Sequence, residues 1–118
     1  MTSVTFTQEK AATGIVFKLT ASGHAGYVQE GHDPVCAACS VLTQALAAAL
    51  CERKPEEAGM IYSENAEAAE ATVWFLAQSA LEAECAEAMY NVALAGFRML
   101  EESFPENVFV TGEKEKMH

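Results

Sequence analysis

Positive charge is scarce in this sequence. Its 118 residues include only seven Lys and Arg against 17 Asp and Glu, which gives a formal net charge of −10. A surface with this balance repels a phosphate backbone, so we expect no direct nucleic-acid partner. The same electrostatic field attracts a basic protein or peptide.

The sequence also lacks the marks of export and of a membrane anchor. The N-terminal stretch MTSVTFTQEK has no basic region followed by an apolar segment, and no apolar run is expected to be long enough to span a bilayer. We therefore expect a cytoplasmic protein with no membrane partner. Because the cytosol keeps thiols reduced, the four cysteines are expected to be free rather than disulfide-bonded.

No internal repeat or linker divides the chain. A chain of this length suffices for one hydrophobic core but not for two. We expect a single domain over residues 1–111, followed by the polar tail GEKEKMH over residues 112–118, which should fray.

Short β-rich runs predict strands, and two longer segments predict helices. Residues 4–7 and 15–20 form one hairpin, residues 59–63 and a run ending in TVWFLA form a second, and residues 108–110 could form a last strand. Asp33 followed by Pro34 predicts the start of the first helix, and the capping box SALE at Ser79 predicts the start of the second. Apolar side chains recur at helical spacing through the second helix: Leu81, Cys85, Met89, Val92, Gly96 and Met99. The order ββαββα(β) predicts an α+β fold with two helices packed on a mainly antiparallel sheet.

One stretch concentrates the reactive side chains. SGHAGYVQEGHDPVCAACS, residues 22–40, holds two of the three histidines and two of the four cysteines. If Asp33 caps the first helix, Cys36 occupies the third helical position, where backbone N–H groups lack intrahelical partners. These donors and the positive end of the helix dipole stabilise a thiolate, so Cys36 is a candidate nucleophile. Cys39 falls instead on an apolar stripe with Val35 and Leu46, which predicts a small buried side chain.

A nucleophilic cysteine needs a base within reach, and imidazole is the usual one. His24 ends the second strand, twelve residues before Cys36, on a loop that must return to the helix. His32 directly precedes the helix cap and is less free to turn back, so His24 is favoured. Asp33 is expected mainly to cap the helix. The glycines of this loop, Gly23, Gly26 and Gly31, allow it to move and let a peptide backbone approach.

This stretch resembles the signature of the bacterial ribosomal-processing cysteine protease family, which reads Gly-His-Ala, a short loop, then Gly-x-Asp-x-Val-Cys-Ala-Ala-x-Ser. The matching positions are Gly23, His24, Ala25, Gly31, Asp33, Val35, Cys36, Ala37, Ala38 and Ser40. Pro34 stands where the family usually has an aliphatic residue, and Cys39 replaces a small or branched apolar one.

The resemblance implies a homodimeric endopeptidase with a Cys-His dyad. Members of the family remove a short N-terminal extension from a large-subunit ribosomal protein, the twenty-seventh of that series, by cleaving after an aromatic residue. By this resemblance Cys36 is the nucleophile and His24 is the general base and acid. The supporting or substrate-binding residues are then Gly23, Gly31, Asp33 and Ser40. We expect no cofactor and no metal.

Three other interpretations remain open at this point. Cys36 and Cys39 form a CAAC motif at a helix start, which is typical of a thiol-disulfide module, although the element order does not fit a thioredoxin-like fold. His24, His32, Cys36 and Cys39 have the ligand types of a zinc site, but their spacing matches no standard finger. The third alternative is a non-catalytic dimeric binding domain in which Gly-His-Ala is only a turn.

Overall fold

The computed structural model describes residues 1–26, 32–64 and 69–111, with the side chain of Glu64 excepted. The elements in chain order are β1 (Thr2–Ala11), β2 (Gly14–Ser22), α1 (Pro34–Arg53), β3 (Ala58–Glu64), β4 (Ala69–Ala77), α2 (Ala80–Ser103) and β5 (Val108–Val110). This order confirms the predicted α+β class and the sequence ββαββα(β). The predictions for Gly31, for the turn after residue 64 and for the tail over 112–118 concern residues outside the described ranges.

The five strands form one sheet in the order β3-β4-β2-β1-β5. All neighbouring strands are antiparallel except β5, which runs parallel to β1. The first hairpin is longer than its apolar runs predicted, because its ladder continues through polar positions to the pair Ala11 and Gly14. Backbone hydrogen bonds support this extension and need no apolar side chain.

An aromatic cluster joins the sheet to α2. The ring of Tyr90 lies 5.1 Å from that of Phe6 and 5.7 Å from that of Phe17, measured between centroids, and all three residues are buried. The Tyr90 hydroxyl donates to the carbonyl oxygens of Phe17 (3.2 Å) and Val73 (3.0 Å). Burial raises the pKa of Tyr90. The hydroxyl therefore satisfies its hydrogen bonds inside the core and stays protonated.

The buried face of α2 differs from the apolar spacing that predicted the helix. It consists of Ala86, Tyr90, Ala93, Leu94 and Phe97. Leu81, Val92 and Met99 are 68%, 73% and 68% exposed. The helix carries two apolar stripes, and periodicity alone cannot tell which one meets the sheet.

Helix α1 begins where the sequence predicted, with Asp33 as its N-cap and Pro34 as its first residue. By length and composition alone, this 20-residue helix is long and apolar enough to cross a membrane, so the expectation that no segment would reach that length is wrong. A core helix of a globular protein can have the same length and apolar composition. Here one side of α1, including Val35, Leu46 and Leu50, is buried in the core.

Candidate active site

His24 is held at the end of β2 by the glycine before it. Gly23 has a φ of +91°, a conformation that residues with a Cβ rarely adopt. A Cβ at this position would collide with the carbonyl oxygen of Met1. The N–H of Gly23 donates to the carbonyl oxygen of Ala69 at 2.7 Å. The backbone that carries His24 is therefore fixed by β4 on one side and the N-terminus on the other.

Cys36 is fixed by the cap of α1. One carboxylate oxygen of Asp33 accepts the N–H groups of Val35 (2.8 Å) and Cys36 (3.2 Å), while Pro34 has no N–H to offer. The first-turn donors that the sequence suggested for a thiolate are thus bonded to Asp33 instead. The group that does reach the sulfur comes from the neighbouring loop: the N–H of Ala25 donates to Cys36 Sγ at 3.3 Å.

A cavity of about 230 Å³ brings most of the sequence-predicted site residues together. Gly23, His24, Cys36 and Ser40 all line it. His24 is exposed and Cys36 is half-buried, so both side chains are open to a ligand in the cavity. His32 is also exposed but does not line the cavity. The structure therefore groups His24, rather than His32, with the thiol.

The second cysteine of the CAAC motif has a different environment. Cys39 is 6% exposed, as its place on the apolar stripe predicted. Burial, reinforced by the charges of Cys36 and Asp33, raises the pKa of the Cys39 thiol from 9.0 to about 11. Cys39 is therefore a protonated thiol at neutral pH. All four cysteines are free, and within the described parts of the chain no three His, Cys, Asp or Glu side chains gather as they would around a metal ion.

Sequence reasoning missed the residue that holds the Ala25 peptide. The side-chain amide of Asn107 donates to the carbonyl oxygen of Ala25 at 2.9 Å, and the backbone carbonyl of Asn107 accepts the N–H of Thr2 at 2.8 Å. Ala25 itself is 1% exposed. Asn107 thus holds the carbonyl of the residue whose N–H contacts the sulfur. It lies 82 residues away in the chain, and no local pattern indicated this contact.

The contribution of β3 to the cavity was also missed. Met60 and Tyr62 of β3 line it, as do Ser40 and Gln44 of α1. Their spacing of two residues is the one sequence signal that they share a face of a strand. Among the described residues that line the cavity, Glu70 is the only carboxylate. A thiol and an imidazole in one cavity can together attack a carbonyl carbon. The large apolar side chains in the same cavity can hold an apolar side chain of the substrate next to that carbon.

Similarity to known proteins points to a cysteine protease. The model of the family described as "Cysteine protease Prp" matches residues 1–109. No curated protein sequence matches the chain significantly. Among solved structures, the chain is similar to the essential ribosomal processing protease Prp from S. aureus in complex with a covalently linked product peptide, with a TM-score of 0.71, 22% identity and coverage of 94% of this chain and 98% of that chain.

Two further structures share the fold. The protein SMU.848 from Streptococcus mutans aligns with a TM-score of 0.70 and 26% identity, over 94% of this chain and 92% of that chain. The S. aureus protease in complex with a substrate peptide aligns with a TM-score of 0.63 and 17% identity, over 94% of this chain and 98% of that chain.

Proposed function

The chain belongs to the cysteine protease Prp family, and from that premise we propose that it removes an N-terminal extension from a large-subunit ribosomal protein precursor by cleaving after an aromatic residue. The observation that carries the proposal is the single cavity lined by Cys36 and His24, in which the Ala25 N–H contacts the sulfur. A further support is the similar fold of the S. aureus protein, which is described as a ribosomal processing protease.

In the proposed mechanism, His24 takes the proton from Cys36 Sγ as the sulfur attacks the carbonyl carbon of the scissile bond. The carbonyl electron pair moves onto its oxygen and then returns, which breaks the C–N bond. His24 gives the proton to the leaving amine, and the N-terminal fragment remains as a thioester on Cys36. A water molecule then attacks the thioester while His24 accepts its proton. The acid product leaves, and the thiol regains its proton from His24.

The Ala25 N–H supports this mechanism at its first step. It already points at Sγ in the resting protein, so it stabilises negative charge on the sulfur without rearrangement. Asp33 acts indirectly, because its carboxylate holds the helical turn that carries Cys36. Ser40 lies one turn further along α1 on the same cavity, where its hydroxyl can meet the substrate.

The proposed preference for an aromatic residue rests on two side chains of β3 that line the same cavity as the thiol. Met60 and Tyr62 offer a thioether and a ring to a flat apolar side chain. The net charge of −10 favours the approach of a basic ribosomal protein, and this attraction weakens as salt shortens the screening length. The reaction needs no component outside the cytoplasm, where we place the protein.

We also propose that the protein acts as a homodimer. Four large apolar side chains are well exposed on the two helices: Val41, Leu81, Val92 and Met99. On α2 the exposed residues lie opposite the face that packs on the sheet. A second copy that covered this outer helical surface would bury them.

A cleavage assay tests the proposal. A synthetic peptide that carries the N-terminal extension of the ribosomal precursor is incubated with the protein, and its products are identified by mass spectrometry. We expect one cut, directly after an aromatic residue, and no cut with the Cys36→Ala variant. An uncut peptide would refute the assigned substrate, and cleavage by Cys36→Ala would refute the assigned nucleophile.

A further inference from the structure

The two edges of the sheet are finished in different ways. At one edge, β5 directs the N–H groups of Val108 and Val110 away from β1, and both are bonded within the chain. Val108 donates to the carbonyl oxygen of Phe104 at 3.1 Å, and Val110 donates to the carboxylate of Glu101 at 3.3 Å. The chain's own groups therefore close this edge to a further strand.

The opposite edge is β3, and the direction of its backbone groups follows from the register. The N–H of Leu76 in β4 donates to the carbonyl oxygen of Glu57 at 2.9 Å, so this pair is a hydrogen-bonded one. In an antiparallel ladder every second pair bonds, which makes Gly59 and Ile61 the residues of β3 that bond to β4. Met60, between them, directs its N–H and C=O away from the sheet.

The pairing on the other side of β4 gives the same alternation. The N–H of Gly23 donates to Ala69, which places the odd-numbered residues of β4 on the β2 side and leaves the even-numbered ones for β3. Among residues 1–26, 32–64 and 69–111, nothing occupies the outward N–H of Met60. The side chains of Met60, Ile61 and Tyr62 are 39%, 65% and 57% exposed. An edge strand this apolar is a site where another strand adds readily.

This open edge borders the cavity that contains the thiol. Met60 and Tyr62 line the cavity together with Ser40, Gln44 and Cys36 of α1. An extended peptide laid along β3 would therefore meet three things together: backbone groups to pair with, an apolar wall for alternate side chains, and the sulfur.

We propose that the substrate binds as an added strand along the outer edge of β3, through the segment on the N-terminal side of the scissile bond. This inference rests on the proposed function. The N-terminal segment stays attached to Cys36 as the thioester, so it must be held through both steps, whereas the other product leaves after the first. Its backbone pairs with Met60, and every second side chain enters the space between β3 and α1.

Amide hydrogen exchange tests the inference with a control inside the same strand. The probe is the chloromethyl ketone of acetyl-Ala-Ala-Ala-Ala-Phe, which forms a carbon–sulfur bond with Cys36 and releases chloride. Exchange is followed by NMR before and after alkylation. We expect exchange at the Met60 amide to slow by about three- to tenfold, the effect of one added hydrogen bond. The amides of Gly59 and Ile61, already bonded to β4, should change little.

The other outcomes are each decisive. Alkylation of Cys36 without slower exchange at Met60 would overturn the added strand and leave the nucleophile in place. A Met60 amide that is already protected in the free protein would show that the edge is occupied by a second copy, which also overturns the inference. Failure of the probe to alkylate Cys36 would count against the proposed function, and the inference would fall with it.

A variant tests the same contact without a covalent probe. Met60→Pro removes an outward N–H, at a position where edge strands tolerate proline, together with the side chain that lines the cavity. Met60→Ala, which loses the same side chain and keeps the N–H, is therefore the matched control. With a cleavable peptide we expect kcat/KM of Met60→Pro to be about three- to tenfold lower than that of Met60→Ala. Retained exchange protection at Gly59 and Ile61 would show that β3 is intact in the variant, and equal kcat/KM in the two folded variants would contradict the inference.

Discussion

The two helices begin in the same way, yet only one start carries a site. In α1 the carboxylate of Asp33 accepts the N–H of Cys36, the third helical residue, at 3.2 Å. In α2 the hydroxyl of Ser79 accepts the N–H of Glu82, again the third helical residue, at 3.1 Å. Each cap satisfies a donor that a helix start leaves free. The third position is thus equally well built in both helices.

The difference lies in what a second segment brings to that position. At α2, the Glu82 carboxylate accepts the N–H of Gln78 (2.8 Å), which closes the start of that helix, and the ammonium of Lys54 (3.0 Å), which joins it to the end of α1. At α1, the loop after β2 brings the Ala25 N–H to the sulfur and His24 to the same cavity. In the proposed mechanism, the start of α1 is reactive because another segment supplies a donor and a base.

The largest expected difference in kcat comes from replacing the third residue of each helix by alanine. Cys36→Ala should lower kcat by about 10⁴-fold or more, since it removes the nucleophile. Glu82→Ala, the same position in α2, should leave kcat unchanged because that carboxylate only joins two helices. Steady-state cleavage of a precursor peptide measures both, with circular dichroism as the check on folding. Equal losses in the two variants would mean that the start of α1 has no special role.

Replacing the proposed base should have the next largest effect on kcat. His24→Ala should lower kcat by about 10²- to 10⁴-fold, which is the usual contribution of a general base. His32→Ala is the matched control, because His32 is as exposed as His24 but lies outside the cavity. If His32→Ala gave the larger loss, the base would have to be reassigned.

Asn107→Ala should have an intermediate effect on kcat, because Asn107 holds the backbone of Ala25. Loss of the 2.9 Å bond frees the carbonyl of Ala25 and lets its N–H drift from the sulfur. We expect kcat to fall by about 10- to 100-fold with a smaller change in KM, as for other misplaced groups. The rate of Cys36 alkylation by iodoacetamide should fall as well, which a purely structural role would not produce. Asn91→Ala, on an exposed part of α2, is the control.

The two cysteines of the CAAC motif should differ in labelling. At pH 8 iodoacetamide should modify Cys36 first, while Cys39 stays buried and protonated with its pKa near 11. Because folding raises the pKa of Cys39 above 9.0, its contribution to stability is complete below pH 9 and declines as the pH rises towards 11. Peptide mapping after timed labelling measures the order. Early labelling of Cys39, or a Cys36–Cys39 disulfide after mild oxidation, would revive the thiol-disulfide interpretation.

The smallest effect concerns Glu82. The hydrogen bond from the Gln78 N–H, followed by that from Lys54, holds the pKa of Glu82 below its usual 4.5. Folding is therefore favoured by its ionised form above pH 4.5, and this contribution is lost as the pH falls below that value. Thermal melts of wild type and Glu82→Gln should differ slightly at pH 7 and converge towards pH 3. A difference that grew on acidification would contradict the sign.

The local parts of this architecture were readable in the sequence, and the long-range parts were not. Asp33 and Ser79 were predictable as caps because a cap acts over three residues. The burial of Cys39 followed from its place on one helix face. The contact of Asn107 with Ala25 depends on β5 joining β1 in parallel, a pairing with no local signature. The choice between the two apolar stripes of α2 also needed the sheet.

The central claim is that Cys36 forms a covalent thioester with the substrate, and trapping that thioester tests it most directly. The wild-type protein is mixed with the precursor peptide, quenched in acid within the first turnover, and mapped by fragmentation mass spectrometry. We expect the mass of the N-terminal fragment on Cys36, with no such adduct in Cys36→Ala. An adduct on Cys39, Cys51 or Cys85 would contradict the account. Cleavage of the peptide by the Cys36→Ala variant would contradict it as well.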